Sequence, residues 1–168
     1  MGANDRVCYH NMASKDDYGR YGHAEVVSLT IPKSSFEAFC EIYFNLFNKR
    51  GDRPDQLGDR GGEYRNLIGI PNKDPELIKI AEAVSSGINN GAVAVDAKSG
   101  VGSDEDKRAV TYVYDNGSKD KFPAYQAEFY HQFHDGFAPG ENYPDSYNNI
   151  KNNLQALGIL QDTKCPPI

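Results

Sequence analysis

The sequence predicts an α+β fold, a mixed sheet covered by helices in a layered sandwich. Three observations predict it. Element signals follow the order strand, helix, strand, helix, strand, strand, helix, which suits layers packed around one core. Apolar residues recur at helical spacing in 36–47, whereas those of 109–115 alternate. The length, 168 residues, is that of one domain, large enough to close a core without metals or disulfides.

Each element has its own signal. Residues 1–22 are polar, rich in Asn, Asp, Tyr and Gly, and show no period. HAEVVSLTI (23–31) reads as a strand because Val26, Val27, Thr30 and Ile31 are β-branched and Pro32 ends the run. A helix follows. Ser34 and Glu37 have capping-box spacing, and Phe36, Phe39, Cys40, Tyr43, Leu46 and Phe47 form one apolar stripe. Residues 48–63 are a charged, Gly-rich loop of the length that usually carries function. YRNLIGI (64–70) reads as a buried strand stopped by Pro71. Asp74 as N-cap and Pro75 at N1 open a second helix, with Leu77, Ile80, Ala81, Val84 and Ile88 as its buried face. AVAVDA (92–97) is a short strand, KSGVGSDEDKR a solvated loop, and AVTYVYD (109–115) a strand leading to a turn at Asn116-Gly117. Residues 122–137 contain an aromatic helix. Residues 144–159 form a last helix with Ile150, Leu154 and Leu157 on one face and Gly158 at its C-terminal end. There are no internal repeats.

Composition excludes several classes of partner. Lys and Arg number 18 against 24 Asp and Glu, for a net charge of −6 and a pI near 5.2. Nucleic-acid binding rests on basic residues neutralising phosphates, and anionic membrane surfaces ask for the same, so neither is expected. No run reaches the ~18 apolar residues of a spanning helix. MGANDRVCYH has no apolar core of a secretory signal. Three cysteines are an odd, low number, not a disulfide framework. A single-domain cytoplasmic protein without a cofactor is expected.

Three blocks carry a resemblance. Gly22-His23-Ala24-Glu25-Val26-Val27 is the first, Gln56 to Arg65 the second, and Ala127-Glu128-Phe129-Tyr130-His131-Gln132 the third. Together, and in this order, they resemble the peptide methionine sulfoxide reductase A family. In the second block Gln56, Asp59, Gly61, Tyr64 and Arg65 coincide with the family pattern, while Leu57 replaces a glycine. The likeness spans roughly residues 7–133. It implies a two-layer α/β sandwich with a mixed sheet over 1–137, and leaves 138–168 as a C-terminal helical extension packing on the same domain.

In that family a cysteine attacks the sulfur of methionine sulfoxide, a protonated glutamate with tyrosines and an aspartate binds the oxygen, and a C-terminal cysteine resolves the sulfenic acid. The resemblance places Glu25, Asp59 and Tyr64 in the acid and tyrosine roles. A second tyrosine falls by strict spacing on Ala13, so Tyr18 or Tyr21 would serve after a local shift, with His23 beside them on the substrate side. The nucleophile motif of the family contains tryptophan, and this chain has none. Cys8 is the one cysteine upstream of Glu25. It lies too close to Glu25 for the family interval and falls instead on a glycine of the family's second strand. That alignment implies a family domain whose front end is missing. Cys40 lies in the helical stripe and reads as core; Cys165 is in the tail and is the candidate resolving thiol.

Three functions follow as expectations. The first is thiol-independent acid/base chemistry on a small molecule by Glu25, Asp59 and Tyr64, since a desolvated carboxylic acid can hold a proton at neutral pH. The second is reduction of a methionine-sulfoxide-like substrate by Cys8, with Cys165 resolving and thioredoxin as reductant. The third is non-catalytic ligand binding on the same scaffold. Glu128, His131 and His134 have helical spacing that suits a metal, yet the first two fall in the third block, where the resemblance makes such residues structural, and no metal is expected.

Overall fold

In a computed structural model of the chain, the described residues are 7–8, 23–54, 64–97, 109–117, 124–133 and 144–165. They fall into two compact units, one of residues 22–124 and one of residues 1–21 with 125–168. These ranges are not those of the 1–137 and 138–168 segments expected from the sequence.

The unit of residues 22–124 is an α+β core. Helix α1 spans Phe36–Asn45 and is preceded by a 3-10 turn, Lys33–Ser35. The Ser34–Glu37 capping box does not form. The Pro32 carbonyl accepts the Ser35 N–H at 2.9 Å, which starts the turn a residue early and leaves Ser34 inside it. The predicted apolar stripe is present with one residue added. Phe36, Cys40, Phe44 and, just past the end, Phe47 are buried, while Phe39 and Tyr43 pack at the margin. Leu46, expected on the stripe, is exposed. Burying a phenylalanine side chain contributes roughly 1.5–3 kcal/mol, so this face anchors the unit.

Strands β1 (Leu67–Gly69), β2 (Ala94–Asp96) and β3 (Val110–Tyr114) make a sheet of order β1-β3-β2. Both pairings are parallel, with Ile68 opposite Val113 and Val95 opposite Thr111. The mixed sheet expected from the sequence is thus a parallel one among the described residues. Parallel strands that follow one another along the chain need a crossover. Helix α2 (Pro75–Gly87) supplies it between β1 and β2, with β3 inserted between them. The central strand β3 buries three successive residues, Thr111, Tyr112 and Val113, as a strand covered on both faces does.

Helix α2 starts as predicted. The Asp74 carboxylate accepts the Glu76 N–H at 2.9 Å, and Pro75 occupies the first turn. The Lys33 ammonium then donates to Asp74 at 3.0 Å and to Glu76 at 2.7 Å, so the two helix starts share one ion-pair cluster. Ala81 and Ser85 are the buried residues of α2, and the Ser85 hydroxyl donates to the Val93 carbonyl. Tyr43 lies 3.5 Å from the Thr111 hydroxyl, and burial pushes its phenol up to about 12. Gly51, at φ +77°, sits where a Cβ would come within 2.7 Å of the Ala109 Cβ and 2.8 Å of the Ala92 carbonyl oxygen. Only glycine suits both that backbone and that approach.

The predicted strand 23–31 is not one. The segment has no regular secondary structure, and Val26, Val27, Leu29 and Ile31 are exposed. β-Branched residues favour a strand only when a neighbouring strand takes their hydrogen bonds and packs their side chains. No described strand does so here.

The second unit has less regular structure. Of the aromatic helix expected in 122–137, residues 124–133 are described, and among them there is a 3-10 turn, Phe129–His131. Glu128 at ψ 152° and Gln132 at ψ 124° are extended on either side, and Phe133 has φ +46°, so helical hydrogen bonding does not propagate. The last helix forms in two pieces, α3 (Asp145–Asn148) and α4 (Ile150–Ala156). It closes as expected at Gly158, whose φ is +71°. The Gly158 N–H donates to Gln155 at 2.9 Å and the Ile159 N–H to Leu154 at 2.9 Å, which is the Schellman pattern. Ile150 and Leu154 are half-buried, but Leu157 is exposed. Among the described residues no helix is long and apolar enough to cross a membrane.

Candidate functional site

The reversal at Gly158 sends residues 159–165 back along the unit. Gln126 holds this tail with both ends of its amide. Its oxygen accepts the Gln161 N–H at 3.0 Å, and its nitrogen donates to the Gln161 carbonyl at 2.7 Å. The pairing copies one rung of a sheet with a side chain in place of a strand. On the other side, the Lys151 ammonium lies 5.6 Å from the centre of the Phe129 ring. Phe133 meets Tyr147 edge-on with centroids 5.6 Å apart. These contacts tie 126–133 to both the last helices and the tail.

The result is a disulfide between Cys8 and Cys165, with Cα atoms 5.8 Å apart across 157 positions of sequence. That separation is within the ordinary range for a disulfide. The three cysteines form no framework of disulfides, yet they include one bridged pair beside one core residue. Cys40 is the free one, fully buried in α1, and burial pushes its thiol up to about 11. With a disulfide present, cysteine number no longer argues for a reducing compartment.

The third member of the cluster is Glu128. A carboxylate oxygen of Glu128 and the sulfurs of Cys8 and Cys165 all lie within 4.8 Å of one another. Cys165 Sγ is also 3.8 Å from the Val7 carbonyl oxygen. Cys8 has no exposed surface, whereas Cys165 and Glu128 are half-buried. Of the pair, Cys165 is thus the residue with exposed surface, and access is one of the factors that decide which sulfur an incoming thiolate attacks. Once reduced, the cluster offers two thiols and a carboxylate to one small space.

The other predicted residues do not gather there. Glu25 is exposed, on the irregular segment 23–31, so the described residues build no apolar pocket around it. His23 is half-buried, and burial lowers its pKa. Tyr64 is half-buried at the start of the segment leading to β1. Tyr18, Tyr21, Asp59 and His134 lie outside the described residues. Glu128 was legible as a ligand type only through its spacing to His131 and His134. Its neighbours prove to be two cysteines far away in sequence, and no local pattern carries such a contact.

No protein-family model, no curated protein and no solved structure matches the chain.

Proposed function

We propose that the chain is a thiol-dependent sulfoxide reductase of the methionine sulfoxide reductase A type, on that family's two-layer sandwich, with Cys8 and Cys165 as its redox couple. The observation that carries this is the disulfide itself, set beside a carboxylate. In the reduced protein the Cys8 thiolate attacks the sulfoxide sulfur. The sulfoxide oxygen passes to Cys8, leaving a sulfide and a sulfenic acid. The Cys165 thiol then attacks the Cys8 sulfur, expels water and forms the disulfide. An external dithiol, thioredoxin in a reducing cytoplasm, returns both thiols. In sum, one sulfoxide and two thiols become one sulfide, one disulfide and one water.

Dithiothreitol-driven turnover of methionine (S)-sulfoxide tests this. Wild type turns over; Cys8→Ser does not; Cys165→Ser keeps turnover with dithiothreitol, which resolves the sulfenic acid itself, but with thioredoxin as reductant completes a single turnover and stalls. Full activity in Cys8→Ser, or none in wild type, overturns the reading. Acid/base chemistry by Glu25, Asp59 and Tyr64 without a thiol has less support, because Glu25 is exposed. The complete burial of Cys8 favours one second reading, a structural clamp. Reduction would then lower the melting temperature of a chain that never turns over a sulfoxide.

A further inference from the structure

The same three side chains have a use outside any turnover. A tetrahedral zinc ion takes thiolate sulfur at ~2.3 Å and carboxylate oxygen at ~2.0–2.2 Å, so its donors stand about 3.3–3.8 Å apart. The sulfurs of Cys8 and Cys165 and the Glu128 oxygen already lie within 4.8 Å of one another. Breaking the disulfide lets the sulfurs separate toward the zinc spacing, and a modest closure brings the carboxylate in. Two soft thiolates with one carboxylate suit zinc over magnesium or calcium, which prefer all-oxygen sets. The Gln126–Gln161 pairing holds the stretches of Glu128 and Cys165 together, and Cys165 Sγ lies 3.8 Å from the Val7 carbonyl oxygen, next to Cys8.

We propose that the reduced chain binds one zinc ion through Cys8, Cys165 and Glu128, leaving a fourth position to water, and that disulfide formation expels it. The site goes beyond the reductase cycle and requires only that the disulfide can be reduced. Loading displaces the two thiol protons. Oxidation by a peroxide breaks both zinc–sulfur bonds and makes the sulfur–sulfur bond. With hydrogen peroxide, the two electrons from the sulfurs and two protons taken up from solvent give two waters, and the ion leaves as Zn2+.

The test titrates zinc alone into the full chain, once reduced with a phosphine and once in its disulfide form, against a chromophoric chelator. The reduced chain is expected to take one zinc and the oxidised chain to bind at least ~100-fold more weakly. Cobalt substitution is expected to show thiolate-to-metal charge transfer in the reduced chain only. Cys8→Ser and Cys165→Ser each abolish tight binding. Glu128→Gln weakens it at least about tenfold, the scale on which even outer-shell partners act, and it keeps the disulfide as a check on folding by circular dichroism. Equal affinity in the two redox states overturns the proposal. So does unchanged affinity in Glu128→Gln, or binding seen only when circular dichroism shows an unfolded chain. Sulfoxide turnover plays no part in these readouts, so failure of the reductase reading and failure of the zinc site are separate results.

Discussion

The two units are held together by different physics. In residues 22–124 a continuous apolar cluster runs from Phe36, Cys40, Phe44 and Phe47 to Ile68, Ile70, Ala81, Val93 and Val113. In the unit of the two chain ends, the described residues form short helices with Leu157 and Ile159 exposed. Among the described residues, a disulfide, an amide pairing and a cation over a ring join its segments, beside the buried Val7. Packing distributes stability over many small contacts, whereas a cross-link concentrates it in one bond that chemistry can open. The candidate chemistry sits in the second unit. Segments that open or exchange partners are drawn from the less stable parts of a protein.

Phe44 is a large, fully enclosed side chain at the centre of the aromatic cluster. Phe44→Ala is expected to cost about 3–5 kcal/mol and to lower the melting temperature by roughly ten degrees. A loss under about 1 kcal/mol in chemical denaturation would mean that the cluster is not the anchor.

Next comes the cross-link. Closing so long a loop is worth at most ~5 kcal/mol in the chain-entropy account and typically ~2–4 in practice. Reduction is expected to speed amide exchange in 144–165 while α1 and β3 keep their protection. Uniform loosening would show that the two units unfold as one. Thiol labelling sharpens the contrast. The native oxidised chain labels nowhere, mild reduction exposes Cys8 and Cys165, and Cys40 reacts only on unfolding, because burial holds its thiol near 11. Early labelling of Cys40 would contradict its place in the core.

Gly51→Ala tests packing at a loop. Its left-handed backbone and the 2.7 Å approach to Ala109 predict a loss of about 1–3 kcal/mol, read as a lower midpoint in urea. Amide exchange in 144–165 should not respond. A neutral result would mean that Ala109 and Ala92 yield freely.

What was legible in the sequence follows the same divide. The elements of the core unit are written locally: a helical stripe in 36–47, Asp74-Pro75 as a helix start, alternation in 109–115. Each encodes its own conformation within a few residues. The strand expected at 23–31 failed because strand identity depends on a partner, which propensity does not specify. In the described part of the expected aromatic helix, 124–133, side chains bond to distant positions instead, Gln126 to Gln161 and Phe133 to Tyr147. At the site, the family resemblance offered Cys8 and Cys165 as attacker and resolver only as an alternative to thiol-independent chemistry. Their pairing, and Glu128 beside them, are non-local and left no spacing to read. Asp59, in the charged loop, lies outside the described residues.

The smallest expected effect is electrostatic. The Lys33 ammonium, first through its hydrogen bond, holds the Asp74 carboxyl below its ordinary 3.8, and the Glu76 N–H adds to this. A carboxyl whose folded value is depressed stabilises the fold above its unfolded value, and that contribution is lost as pH falls through the folded value. Lys33 is raised above 10.5, chiefly by its bond to Glu76. Its contribution is complete below pH 10.5 and is lost as pH rises past it. Both groups are exposed to solvent, where such pairs contribute little and salt screens them. Lys33→Met should therefore flatten the fall in urea midpoint below pH 4 without abolishing it, since the Glu76 N–H still favours the charged Asp74. Molar salt should mimic the substitution in wild type and do nothing further to the variant. An acid limb equally steep in Lys33→Met would assign the pH dependence to carboxylates elsewhere, and the link between the two helix starts would then be geometry without energetic weight.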